Sequence, residues 1–223
     1  MLKSVDLPDS VVEIGESAFY NTGITKIVIP DGVTCIASGT FESCFDLEEV
    51  ILLKNLEIIE ENAFRFSGVT AICLPEGLVH IGNFSFEFCR NLKTVIIPDS
   101  VKTIGAGAFA GCEALETVQL GNGITKIADS AFANCVMIKN IIVPDGVTDL
   151  EMYSFYNCFK LEEIVIPKSV TNIGRYALQS CLQLNRIVYD GTMEEWNAIE
   201  KGIIWISKSR GYEIRCSDGT IEY

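Results

Sequence analysis

Residues 96–115 read IIPDSVKTIGAGAFAGCEAL: two isoleucines, a Pro-Asp-Ser turn signal, an Ile-Gly step, an Ala-Phe pair and a cysteine. Twenty-three residues further on, nearly the same order of residue types returns, and the fold follows from that recurrence. With Leu92 as position 1, residues 92–114 carry Leu92, Val95, Ile97, Pro98, Val101, Ile104, Gly105, Ala108, Phe109 and Cys112. The same frame opens at Leu2, Ile24, Leu47, Val69, Leu92, Leu115, Ile138 and Leu161, with a partial ninth copy at Leu184, at spacings of 22 or 23 residues. All six prolines (Pro8, Pro30, Pro75, Pro98, Pro144, Pro167) stand at one position of the frame, where Leu53 and Gly121 replace them in the other two complete copies. A period of this size is that of stacked single-turn units, each too small to bury its own apolar side and stable only against its neighbours.

Within a unit the first, fourth and sixth positions are apolar, as in Leu161, Ile164 and Ile166, and the alternation predicts a short strand. Stacking the units pairs these strands into one parallel sheet. Proline directly after the strand ends it without removing a ladder hydrogen bond, and Asp31-Gly32, Glu76-Gly77, Asn122-Gly123 and Asp145-Gly146 supply the turn that follows. The chain then returns along the other side. Phenylalanine holds one position of that return path in seven copies (Phe19, Phe41, Phe64, Phe86, Phe109, Phe132, Phe155), with Leu178 in the eighth, which predicts a continuous buried spine.

The order L-x-x-V-x-L-P-D-S-V-x-x-I-G-x-x-A-F at residues 2–19, with its copies to about residue 190, resembles the BspA-like class of leucine-rich repeats. YDGTMEEW and RCSDGTI near the C-terminus are similar to the usual cap of that class. The resemblance implies a solenoid with a concave parallel sheet, mainly β with short turns, over residues 1–190 and a helix-plus-hairpin cap over 191–223. It also implies an extracellular or cell-surface setting and an adhesive role, because relatives in oral and gut bacteria and in some parasitic protists are implicated in attachment to host matrix proteins and other microbial cells.

Six of the nine cysteines (Cys44, Cys89, Cys112, Cys135, Cys158, Cys181) occupy one repeat position, where Thr22 and Ser67 stand in the remaining two units. The three residue types share small size and one polar hydrogen, so they read as an inward ladder donating to backbone carbonyls. Disulfides fit poorly, since neighbouring rungs hold equivalent Cβ atoms about 4.8 Å apart and a bridge needs about 3.8 Å. A linear column without a C-x-x-C pair cannot converge tetrahedrally on a metal. Cys35 shares a variable column with His80, the single histidine, and is expected on the outer side. Two repeats separate them, roughly 10 Å, beyond the reach of a nucleophile and its base. No catalytic residue, cofactor or metal site is therefore expected.

With 30 acidic against 17 basic side chains the net charge is −13, which disfavours nucleic acid and anionic membrane surfaces as partners. No apolar run reaches the roughly 20 residues of a membrane span, so no insertion is expected. Residues 1–9 show no basic start followed by an apolar stretch, so a signal peptide is not expected within them, and Leu2 already occupies the first repeat position. A piece of a longer protein, or an uncapped first coil that self-associates edge to edge, is the expectation there. At the other end Thr192 to Glu195 has capping-box spacing, which predicts a helix from about Met193, and Asp218-Gly219 predicts a terminal hairpin. Trp196 and Trp205 either seal the last core layer or form a stacking platform for a sugar or aromatic ligand.

Specificity has to reside at the variable positions. The central strand position facing the concave side reads Val28, Ile51, Cys73, Ile96, Gln119, Ile142, Val165 and Val188, preceded by Asp6 in the first unit. Strand propensity alone accounts for β-branched residues there. A binding strip about 40 Å long is the other account, because exposed apolar rows with polar rims mark interaction sites. The sequence thus predicts a non-catalytic module that recognises a protein or glycan through this strip, with a structural spacer or self-assembling scaffold as the alternative.

Overall fold

A computed structural model describes residues 2–207 and 211–223. The chain winds through eight stacked coils, at residues 2–23, 24–46, 47–68, 69–91, 92–114, 115–137, 138–160 and 161–183, and enters a ninth at Leu184. On the first side lie the expected strands, among them Lys26–Val28, Thr94–Ile96 and Glu163–Ile166. Most pair in parallel with their equivalent one coil on, so that Ile27 faces Val50 and Ile141 faces Ile164 and then Ile187, with the pairing broken after Ala71–Ile72 and after Thr117–Gln119. The middle residue of each strand points inward and its two neighbours point out, which is the period-2 rule applied to three residues.

The structure adds two ladders to the single sheet expected from the sequence. One consists of two-residue strands on the return path, Cys35–Ile36 to Thr103–Ile104 and then Lys126–Ile127 to Asn172–Ile173, each pairing in parallel with the next. The other runs along the corner that carries the phenylalanines. In coil 5 the N–H groups of Gly107, Phe109 and Gly111 donate to the carbonyls of Asp129, Ala131 and Ala133 in coil 6 at 2.8, 2.9 and 2.7 Å. Three such bonds require the backbone to turn alternate N–H groups toward the next coil. The residues on either side of each phenylalanine achieve this in the left-handed region, with φ of 61° at Gly107 and 71° at Gly111. Equivalent positions in other coils carry Asn21, Asn62, Asn134 and Asn157, a residue that tolerates this conformation, but also Phe66, Phe84, Phe88, Tyr153 and Tyr176 at φ of 53–61°.

Inside the corner, rings from Phe19 to Phe155 stack with centroids 5.0–5.6 Å apart and interplanar angles of 15° or less. Phe41 through Phe155 are fully buried, as are Ile, Leu and Val columns from both strand sides, and together they form one core running the length of the stack. Both strand ladders cross residue 190. Asn172–Ile173 pairs with Glu200–Lys201 and Arg186 pairs with Glu213, so the segment after 190 completes a ninth, longer coil. Its extra length is the helix Met193–Ala198, opened by a capping box between Thr192 and Glu195 and burying Trp196. The Lys201 ammonium donates to the carbonyls of Trp196 and Ile199 at the other end of the helix. Glu213–Cys216 and Gly219–Glu222 then pair antiparallel, as the Asp218-Gly219 turn predicts.

Candidate functional site

The first sheet presents the eight-residue strip outward, although not uniformly. Val28, Cys73, Ile96, Gln119 and Ile142 are exposed, whereas Ile51, Val165 and Val188 are half-buried. Ile96 is 53% and Ile142 69% exposed, values at which an isoleucine has no packing reason to be there. Register places Val28 beside Ile51, Ile96 beside Gln119, and Ile142 beside Val165 and Val188, where the row ends against Arg215.

The adjacent outward column fixes the electrostatics of the strip. Its ends are charged and self-paired: Lys26 lies 3.0 Å from Glu49, and Arg186 bridges Glu163 at 2.8 Å and Glu213 at 2.9 Å. The two arginines Arg186 and Arg215 hold the Glu213 carboxyl below the usual carboxylate range, Arg186 contributing most. Between those ends stand Ala71, Thr94, Thr117 and Asn140, all uncharged. The middle of the strip is thus a neutral tract in a protein of net charge −13.

The cysteine ladder lies wholly inside. Each of the six thiols donates to the carbonyl of a phenylalanine in the preceding coil, for instance Cys44 to Phe19 at 2.9 Å and Cys112 to Phe86 at 3.2 Å. Ser67 contacts Cys89 at 3.3 Å, and Thr22 contacts Cys44 at 3.4 Å. Burial pushes the Cys89 thiol up to about 12, and Cys112 and Cys158 rise well above the ordinary value. These thiols are structural donors with no thiolate to offer as nucleophile or ligand. Serine and threonine occupy the ladder in the two 22-residue coils, and cysteine in the 23-residue ones.

Cys35 differs from expectation. It is half-buried in the second ladder rather than exposed, because its strand pairs with Ile58–Ile59 and a neighbouring side chain, Glu60, approaches its thiol. Burial foremost, and then that carboxylate, raise its pKa to about 11. His80 lies two rungs away with Ile58 between them, and the His80 Nδ1 hydrogen-bonds the Thr103 hydroxyl. The two side chains are not brought together. Trp196 is buried between Tyr189 and a partly buried Trp205, at centroid distances of 5.3 and 6.0 Å, so both tryptophans pack into the last core layer.

A set of half-buried aromatic residues on the outside of the corner escapes the sequence reading. Phe66 and Phe88 stack on the outside of the Phe corner at 5.1 Å, with the exposed Phe45 alongside, and Tyr153 stacks on Tyr176 at 5.0 Å. The available signal is the pair of left-handed positions flanking each spine phenylalanine, which recur with the same period but vary in residue type.

Coils of 22–23 residues, a short parallel strand on one side and a phenylalanine spine opposite define a leucine-rich-repeat solenoid. The chain belongs to the BspA type leucine-rich repeat family, whose repeat region is recognised in six copies over residues 1–93 and 79–199. It is similar to a leucine-rich cell surface protein of Faecalibacterium prausnitzii, with 30% identity over 86% of this chain and 67% of that one and a TM-score of 0.50. A leucine-rich repeat protein of Bacteroides ovatus matches at 28% identity over 96% of this chain and 63% of its own length, with a TM-score of 0.69. A T. pallidum leucine-rich repeat protein matches at 25% identity over 81% of this chain and 77% of that one, with a TM-score of 0.58. No curated protein matches the sequence. Among the described residues no helix is long and apolar enough to cross a membrane.

Proposed function

We propose that the chain is a non-catalytic binding module displayed at a cell surface, which docks a protein partner through the central part of the outward strip. The observation that carries this reading is the tract Cys73–Ile96–Gln119–Ile142 with Thr94, Thr117 and Asn140 beside it: exposed, apolar or neutral, and at the same repeat position in four successive coils, with Ile96 and Gln119 paired in register. Docking there removes aliphatic surface from water at outward positions that carry no charge of their own, in a chain of net charge −13. Aliphatic rows bury best against apolar protein side chains, which favours protein over glycan at this surface. The cell-surface setting rests on the Faecalibacterium prausnitzii relative, which is itself a cell surface protein.

A binding screen against matrix proteins, cell-surface extracts and glycans tests the reading, run beside an Ile96→Lys/Ile142→Lys variant. Both positions point into solvent, so the variant keeps the fold. Binding that the variant loses places the contact on the strip. Binding to nothing, or equal binding by both proteins, leaves the strip as ordinary strand chemistry and makes the chain a spacer.

A further inference from the structure

Coil 3 is one residue shorter than the coils on either side, and the deletion falls at an outer corner. Coil 2 continues after its ladder residue as Phe45-Asp46 and coil 4 as Arg90-Asn91, but coil 3 has only Gly68 after Ser67 before Val69 begins the next coil. Glycine is obligatory there, since a Cβ on Gly68 would lie 2.1 Å from the Phe45 carbonyl oxygen. A side chain is therefore absent between two large ones. The result is a notch with Phe45 and Arg90 as opposite walls, the Ser67-Gly68 backbone as its floor and the Phe66–Phe88 stack behind it.

Two coil steps separate the walls, about 9.6 Å. A ring sandwiched at van der Waals contact on both faces needs about 7 Å, less than the two coil steps between the Phe45 and Arg90 backbones. Phe45 is 64% exposed and has no partner ring among the aromatic stacks of this corner. The Arg90 guanidinium lies over the Phe88 ring at 5.6 Å and meets Glu113 through Nε at 3.3 Å, a long and solvent-exposed contact, and Asn91 adds an amide to the same rim. A phenyl face opposed by guanidinium and amide donors calls for a ring that is apolar on its faces and rich in acceptors at its edge. An aromatic side chain would stack on the same faces, as Phe88 does with Arg90, but would bring no acceptor to the guanidinium and amide N–H edges. A pyranose presents C–H groups to the phenyl and oxygens to the donors, and a carboxylate on it would meet Arg90 in charge-assisted hydrogen bonds. The protein's more distant acidic groups are screened beyond about 8 Å at physiological ionic strength.

We propose that this notch binds one carboxylate-bearing pyranose unit of a glycan, independently of the strand strip. The test is titration of the whole chain with methyl β-glucuronide, N-acetylneuraminate and the neutral methyl β-glucoside, followed by the Gly68 amide resonance and by calorimetry. At least one acid should bind, shifting Gly68, at least tenfold more tightly than the glucoside. Phe45→Ala should abolish the shift, and Arg90→Gln should remove the preference for acid. The Ile96→Lys/Ile142→Lys variant should bind the sugar as the parent does, which separates this site from the strip. Failure of both acids to shift Gly68, equal binding of acid and glucoside, undiminished binding by a folded Phe45→Ala chain, or displacement by a tryptophan-containing peptide in preference to sugar would each overturn the proposal.

Discussion

The two sides of each coil repeat with the same period and behave differently. At the phenylalanine corner the coupling between coils is unbroken: bonds from one coil to the next run from Ser17 in coil 1 to Leu178, whose N–H reaches the Trp205 carbonyl, while a ring stack and a thiol-to-carbonyl ladder lie beneath them. On the strand side the sheet falls into groups of three, two and five strands, with breaks after Ala71–Ile72 and after Thr117–Gln119. The corner holds the coils together through backbone bonds over a ring spine and thiol ladder that scarcely change, and the strand side carries the outward positions that change from coil to coil. Cohesion and recognition are thus assigned to opposite sides of one repeat, which lets the strip vary without loosening the stack.

Substitutions at the corner should therefore cost most. Cys112→Asp places a carboxylate in a fully buried site with one carbonyl facing it, and a loss on the order of 4 kcal/mol or more is expected, with Cys112→Ser close to neutral because Ser67 and Thr22 already serve in equivalent places. Phe109→Ala opens a cavity in the middle of the ring stack and should lose about 3–5 kcal/mol. Ile96→Ala on the exposed strip should lose no more than about 0.5 kcal/mol. Urea unfolding of the four variants measures all of this, and equal losses for Phe109→Ala and Ile96→Ala would end the division of labour argued above.

The thiol ladder also makes the corner sensitive to alkali. Burial raises Cys89 and Cys181 in the folded chain from an ordinary 9.0 to about 12. A group whose folded pKa is raised contributes stability that is fully present below its unfolded pKa and lost as pH rises toward the folded one. The window here is therefore pH 9 to 12, with a slope of about 1.4 kcal/mol per pH unit for each thiol. Unfolding free energies followed from pH 8 to pH 11 should fall steeply above pH 9, and Cys89→Ser should reduce that slope by one thiol's share. A slope unchanged by the substitution would mean that the ladder thiols ionise in place.

How much of this was legible in the sequence depends on what each ladder is made of. The strand ladder and the Phe spine were readable because they are carried by side chains that repeat: apolar residues at three positions, proline after them, Phe and Cys beyond. The second ladder was not, since two residues per coil, one of them variable, are too few to show an alternation. The corner ladder is a backbone device. Glycine and asparagine flank the spine in some coils, but Phe66, Phe84, Phe88, Tyr153 and Tyr176 adopt the same positive φ and signal nothing of it. The helix inserted in the ninth coil lengthens the step from Asn172 to Glu200 and hides the continuing register. Exposure along the strip was legible only as alternation: that Ile142 projects fully while Val165, its neighbour in register, is half-covered depends on which side chains surround each.

Substitution by glycine discriminates the two sides by sign. Ser43 holds φ of 60° beside the spine, a conformation that costs an L-residue about 1–2 kcal/mol and glycine almost nothing. Glycine brings its own entropic loss of about 0.5–1 kcal/mol on folding, so Ser43→Gly should leave stability unchanged or raise it by up to about 1 kcal/mol. The same substitution on the strand side, Thr117→Gly, meets no strain to relieve: Thr117 is extended and paired with Thr94, and loses both β propensity and its cross-strand neighbour. A loss of about 1 kcal/mol is expected there. Thermal unfolding of the two variants side by side decides the matter, because if the corner residues were relaxed in their left-handed conformation, both would lose stability together.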